Sequence, residues 1–271
     1  MFIYDLPNIL AILIVILVSF RVGLIPLWLS FFLCLLAFTP FFLNDVLFPA
    51  KYMPDQFQYY KVSSGIRSFA FDSFSESTTV ENAGWMLALI PLPYIETIQS
   101  LGFFNRFMVT VLIIWLYSSK NIRGWPLLFM LFYPSLLLYS SLTLRDTLVL
   151  IFMILPTIFF IENRRLLAVI TAFPLLLFKI QNFLLIIVFF AVHLYFSRDS
   201  FVYRYRYTFL IIVIASLAPF LMTIIELLDF SRLNMFIDDG GRPNAYVHMR
   251  TIEDFIIIAM QSAPYFLMKP C

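Results

Sequence analysis

The chain has 271 residues, 62% apolar or aromatic and 13% charged, with 18 basic and 16 acidic side chains and a net charge of +2; its mean hydropathy is +0.93. Soluble domains are about half apolar and about a quarter charged, so this composition argues against a soluble domain, a disordered chain and a secreted disulfide scaffold. Runs such as residues 10–20 and 208–221 do not alternate as barrel strands do, which predicts an all-α, polytopic bundle of membrane-spanning helices.

In chain order, residues 1–8 carry Asp5 and no basic residue, so the first apolar run, 6–20, reads as a permanent anchor and not a cleaved signal. The acidic start with Arg21 behind it places the N-terminus outside, on the periplasmic face of a bacterial inner membrane. Further spans are expected at 24–43, 125–144, 147–161, 166–178, 183–196, 208–228 and 255–268. The run 84–117 is too long for one plain helix and contains Pro91, Pro93, Glu96, Asn105 and Arg106. It reads as a broken or re-entrant helix over 84–100 followed by a crossing near 104–117. Together these make about eight or nine spans in one transmembrane domain, 1–271. Counting 84–117 as one net crossing puts Arg21, Lys120/Arg123, Arg164/Arg165 and Arg198/Arg204/Arg206 all inside, the side that basic loops favour. Two hydrophilic segments, 44–83 and 229–254, then become outer loops. The chain stops at Lys269-Pro270-Cys271 as a further span is finishing, so it reads as truncated at its C-terminus.

No phosphate-cradling glycine loop, nucleophile elbow or Cys/His zinc cluster occurs, and Cys34 and Cys271 have no metal or disulfide spacing. Candidate chemistry therefore rests on ionisable groups at the membrane, where each is costly and functional by default. Arg145-Asp146 joins two apolar runs with almost no loop and, on this topology, faces outside. Asp146 at a helix N-terminus is a natural dipole partner, and a capping role for the pair competes with phosphate binding by Arg145. Lys179-Ile180-Gln181-Asn182 lies between two short apolar runs. It is either a turn with a snorkelling lysine or a cation and two amides set to grip a sugar or a lipid phosphate. In the first outer segment Asp55-Gln56-Phe57-Gln58-Tyr59-Tyr60 combines acid, amides and rings as carbohydrate sites do, with Asp45 as a rival acid. In the second, Asp238-Asp239-Gly240-Gly241 forms a turn, and Arg242, His248 and Arg250 follow, His248 being able to take a proton near neutral pH. His193, near a basic loop, reads as structural.

These features together resemble the bacterial polysaccharide repeat-unit polymerases, the O-antigen and exopolysaccharide polymerases of the Wzy type. The resemblance lies in Asp55-Gln56-Phe57-Gln58-Tyr59-Tyr60, in Glu81-Asn82-Ala83-Gly84-Trp85, in Ser140-Ser141-Leu142-Thr143-Leu144-Arg145-Asp146, and in Lys179-Ile180-Gln181-Asn182. It implies a GT-C-like membrane glycosyltransferase at the outer leaflet, joining undecaprenyl-pyrophosphate-linked oligosaccharide units. On this reading Arg145, Lys179, Arg242 and Arg250 hold the pyrophosphate, and Asp55 or His248 accepts the proton of the attacking hydroxyl. Tyr59, Gln58, Gln181 and Asn182 hold the sugar. No bound cofactor is required, and a divalent metal is left open. The expected partners are the lipid-linked oligosaccharide, the bilayer and a chain-length regulator, and no nucleic acid. Many relatives carry a histidine where Lys179 stands, and relatives are commonly longer. The competing readings are a lipid-linked oligosaccharide flippase or other transporter, a GT-C transferase with a polyprenyl-monophosphate donor, and a structural membrane subunit whose outer loops bind a partner.

Overall fold

The computed structural model describes residues 2–44, 52–70, 78–89 and 95–197 almost without interruption, and isolated positions elsewhere, chiefly between 204 and 260. Its contacts divide the chain into two units, Met1–Val192 and His193–Cys271. The described residues of the first unit are helical, with no strand among them: α1 (Phe2–Arg21), α2 (Leu27–Ala37), α3 (Thr39–Leu43), α4 (Asp55–Arg67), α5 (Thr78–Leu89), α6 (Ile98–Ser118), α7 (Trp125–Phe132), α8 (Pro134–Tyr139), α9 (Asp146–Ile161), α10 (Arg165–Ala172), α11 (Pro174–Phe178) and α12 (Ile180–Phe196). The all-α architecture is as the composition predicts. Among the described residues two helices are long and apolar enough to cross a bilayer, Ile3–Arg21 and Ile98–Ser118; the other apolar helices are shorter.

Proline explains why several expected spans are interrupted. The run 24–43 breaks at Phe38, because Pro40 has no N–H to give the carbonyl of Leu36. That carbonyl accepts from the hydroxyl of Thr39 and from Nε of Arg106, both at 2.8 Å. Runs 125–144 and 166–178 break in the same way at Tyr133 and Phe173, ahead of Pro134 and Pro174. Helix α8 ends at Tyr139, leaving 140–145 as a turn and not the end of a span.

The structure refines two further expectations. The segment 44–83, expected as an outer loop, is largely helical where it is described, containing α4 and the first half of α5. Tyr59, Val62 and Ile66 recur at helical spacing on α4 and are buried against Val80, Ala83 and Leu87 of α5. Gly84 allows this approach, as a Cβ there would lie 2.3 Å from Cγ1 of Val62. Helix α5 is described to Leu89, residues 90–94 lie outside the described residues, and the long helix starts at Ile98 and not Phe104. Its start is set by a capping box in which Thr97 Oγ1 accepts from Ser100 N and Ser100 Oγ accepts from Thr97 N.

Helix α6 is the centre of the first unit and packs against α1, α2, α3, α4 and α9. One core gathers Tyr59, Leu87, Phe104, Leu148 and Leu175. A second gathers Ile12, Leu29, Leu33, Phe103 and Ile113. Polarity on α1 is inverted relative to a helix on water. Asp5, Asn8, Ile9, Ile12 and Ile16 are buried, whereas Ile3, Leu6, Leu10, Ile14, Leu17 and Val18 are exposed. Asp5 accepts from Ser100 Oγ at 2.6 Å and from Thr97 Oγ1 at 2.8 Å. Helices α1 and α6 therefore meet at their N-terminal ends.

Candidate functional site

The residues Ser140 to Leu144 form a buried turn that hands the chain from α8 to α9. Every neighbouring element ties it down. Asn105 of α6 donates Nδ2 to the carbonyls of Leu142 (2.7 Å) and Leu144 (2.8 Å). Gln56 of α4 accepts from Thr143 N at 3.0 Å and from Asn44 Nδ2 at 3.2 Å. The hydroxyl of Thr143 donates to the carbonyl of Ile98. Arg106 Nη1 donates to Ser140 Oγ at 2.8 Å, and Ser141 Oγ pairs with Thr39 Oγ1 at 2.9 Å. Gly102 lets the turn lie against α6, since a Cβ there would stand 2.4 Å from the carbonyl oxygen of Ser141. The serines and threonine of this turn are thus committed to holding its shape.

What the turn delivers is the Arg145-Asp146 pair. Arg145 is the N-cap residue of α9 and its side chain makes no capping bond to that helix. Its Nη1 is buried with no hydrogen-bond partner, and it forms no ion pair among the described residues. Asp146 opens α9, where a carboxylate suits the helix dipole, and its Oδ1 lies 3.9 Å from Lys179 Nζ. Lys179 is the extended residue between α11 and α12.

Tyr59 connects these groups to α4. Burial pushes its phenol up to about 12; Arg145 opposes the rise, while Asp55 and Asp146 add to it. Asp55, Tyr59, Arg145, Asp146 and Lys179, from three separated stretches of sequence, therefore lie in one electrostatic neighbourhood. Asp55 is exposed in the first turn of α4. Tyr60, whose hydroxyl donates to the carbonyl of Glu96 at 2.7 Å, is also raised, by burial and then by Glu96 and Asp5.

Other expected ligands are placed differently. Gln58 and Gln181 are exposed. Asn182 is half-buried with Nδ2 3.2 Å from the sulfur of Met153. His248 belongs to the second unit, where its Nδ1 lies 2.8 Å from Asp229 Oδ2 beside a cavity of about 360 Å³ that Glu226 also lines. Asp45, Asp238, Asp239, Arg242 and Arg250 lie outside the described residues. No group of three or more His, Cys, Asp or Glu among the described residues is arranged to hold a metal ion.

Sequence reading missed the buried polar frame of Asn44, Gln56, Gln99, Asn105 and Arg106 as a unit. The available signal was the cost of placing Asn105 and Arg106 within an apolar run. It also missed a cleft of about 320 Å³ between α7–α8 and α9, which Asp146 lines at one side. Comparison with protein-family models, with curated proteins and with solved structures gave no match.

Proposed function

We propose that the chain is a multi-pass membrane glycosyltransferase of GT-C-like architecture. It joins pyrophosphate-lipid-linked oligosaccharide units at the outer face of the bacterial inner membrane, as the repeat-unit polymerases it resembles do. The membrane reading is supported by the inverted polarity of α1 and by exposed apolar faces elsewhere. Trp125, Leu166, Val169, Leu185, Val188 and Phe196 all lie on the surface, an arrangement that lipid tolerates and water does not. The observation that carries the functional reading is the Arg145-Asp146 step delivered by a hydrogen-bonded turn, with Asp146 Oδ1 3.9 Å from Lys179 Nζ and with Nη1 of Arg145 buried without a hydrogen-bond partner.

The side on which this group lies is also supported. The turn hydrogen-bonds to the N-terminal half of α6, through Ile98 and Asn105, and that end of α6 meets Asp5 of α1. Arg21 closes α1, and Lys120 and Arg123 follow α6, all at the opposite ends of these helices. With basic loops inside, the Arg145 group faces out.

In this reading Arg145 and Lys179 bind the pyrophosphate and stabilise the charge that grows on it as the glycosidic bond breaks. Preorganised donors at a developing negative charge matter in this way: removing one from an oxyanion hole costs about 2.7–4 kcal/mol. Asp55, exposed in the first turn of α4, takes the proton from the attacking sugar hydroxyl. Asp146 orients Lys179. Gln58, Gln181 and Asn182 contact sugar, whereas Tyr59, expected as a sugar ligand, is buried in the α4–α5 core and supports the site from behind. The test is the surface glycan of a strain carrying Arg145→Ala or Lys179→Ala. Loss of the long-polymer ladder with single repeat units still exported supports polymerisation. Repeat units retained in the cytoplasm indicate a flippase, and an unchanged ladder refutes both.

A further inference from the structure

Two amides in the frame behind the 140–144 turn leave each other half satisfied. Thr143 N is a backbone donor, so the Gln56 atom 3.0 Å from it is the oxygen Oε1. That same oxygen lies 3.2 Å from the amide of Asn44, which therefore turns its nitrogen Nδ2 toward it. One backbone N–H thus sets the orientation of both side chains. Gln56 Nε2 and Asn44 Oδ1 are left as an open donor and an open acceptor, with no partner among the described residues. Both side chains are fully buried.

The groups around the pair are already engaged. The carbonyl of Asn44 accepts from Gln99 Nε2 at 3.0 Å, and the hydroxyl of Thr143 donates to the carbonyl of Ile98. Gln99, Gly102 and Asn105 recur at helical spacing on α6, and this face of the helix meets Asn44 and the turn. Gly102 puts no side chain over the pair; a Cβ there would stand 3.7 Å from Asn44 Nδ2.

The chemistry of the two open atoms selects what serves them. A buried group left open is costly whether it donates or accepts. An anion could accept from Nε2 but would face the Asn44 oxygen. A cation could be held by Oδ1 but would face the Gln56 N–H. Water donates to one and accepts from the other, and internal waters serve buried polar groups of this kind. The open atoms are the far ends of two amides already joined at 3.2 Å, which keeps them neighbours.

We infer that an internal water molecule bridges Gln56 Nε2 and Asn44 Oδ1 and is a bound structural ligand of the frame. It completes the join between the end of α3, where Asn44 is the C-cap, the first turn of α4 and the 140–144 turn. Ordered water is one of the means by which irregular backbone is satisfied inside a membrane protein. This role is the same whatever Arg145 binds.

The test uses the full chain in proteoliposomes with isotopically labelled side-chain amides, and magic-angle-spinning NMR reads magnetisation transfer from water to each amide. Exposed Gln58 is the control, and a gadolinium chelate on both sides of the membrane quenches transfer from bulk water. Sequential assignment, checked by the resonance lost in Gln56→Met, identifies the Gln56 amide. In the parent protein the chelate should abolish transfer to Gln58 and leave transfer to Gln56 intact. No transfer to Gln56 even without chelate means a dry site, and quenching in step with Gln58 means bulk solvent; either result overturns the inference. Asn44→Leu removes the acceptor while Gln56 keeps Thr143, and thermal melting shows whether the variant is folded. In the folded variant the chelate-resistant transfer should be lost, and its retention would place the water elsewhere and refute the bridge. Should Asn44→Leu not fold, the parent measurement decides alone. A Gln56 resonance that shifts when gluconate replaces chloride would make the occupant an anion and also overturn the inference.

Discussion

Asn105→Leu is the sharpest perturbation of the frame that presents Arg145. Leucine keeps the branching and the number of side-chain heavy atoms but is bulkier, so the change removes hydrogen bonds without opening a cavity and adds some overpacking. Asn105 is fully buried and gives both Nδ2 hydrogens to the 140–144 turn, at 2.7 Å to Leu142 and 2.8 Å to Leu144. The carbonyl of Leu142 also accepts from Leu144 N at 2.9 Å and keeps a partner after the substitution. The carbonyl of Leu144 loses the side-chain donor that the structure gives it. A buried group left without a partner costs about 1–3 kcal/mol, and the second, replaceable bond contributes about 0.5–1.5 kcal/mol. These terms sum to about 1.5–4.5 kcal/mol, offset in part because the substitution also removes Asn105 Oδ1, which is buried without a partner; a destabilisation of about 1–3 kcal/mol is expected, measured by reversible unfolding in bicelles. Asn105→Asp is expected to be worse, because it turns a carboxylate toward two carbonyl oxygens. Pyrophosphate affinity should fall in both variants, since the turn fixes the start of α9. An Asn105→Leu protein within about 0.5 kcal/mol of the parent would refute the clamp, as that is the range of an inconsequential surface change.

Three other outcomes follow from the same coordinates. Gly84→Ala places a Cβ 2.3 Å from Cγ1 of Val62 and should cost about 1–3 kcal/mol; adding Val62→Ala should recover part of it, and strictly additive losses in this double-mutant cycle would contradict the α4–α5 contact. Tyr59 keeps its proton up to about 12, against an ordinary value near 10, so its contribution is fully present below about pH 10 and stability falls as pH rises from about 10 to about 12. Tyr59→Phe should flatten that part of the pH–stability curve, and an unchanged slope would show that the phenol is not buried. Ile14→Lys puts a charge on the outward face of α1, where Ile14 is 57% exposed. In a bilayer this costs about 2.5–3.5 kcal/mol and should impair insertion into vesicles, whereas a water-facing position would accept it almost freely.

The helices of the first unit were largely legible because apolar runs announce themselves. The breaks within them were harder, although Pro40, Pro134 and Pro174 each stand at a new helix start. Each proline removes one donor, and whether the chain then stops or only kinks depends on what takes the freed carbonyl. For Leu36 that group is Arg106, 70 residues away. Helix α4 was hidden by its polar composition, since Asp55, Gln56, Gln58 and Lys61 mask the buried stripe of Tyr59, Val62 and Ile66. In the candidate site, Arg145, Lys179, Tyr59 and Asp55 were legible singly, because charges and tyrosines at membrane boundaries attract notice. Their juxtaposition was not, as it is made by ties spanning long stretches of chain: Gln56 to Thr143 covers 87 residues, and Asp5 to Ser100 covers 95. Hydropathy contains no term for such partners.

The most direct measurement is polymerisation by the purified full chain in nanodiscs, supplied with a lipid-pyrophosphate-linked oligosaccharide as both donor and acceptor and analysed by electrophoresis of the products. Products lengthening by whole repeat units, with free lipid pyrophosphate released and both lost in Arg145→Ala, are the predicted result. A folded protein that leaves the substrate unchanged, or an Arg145→Ala variant that extends it as fast as the parent, would contradict the account.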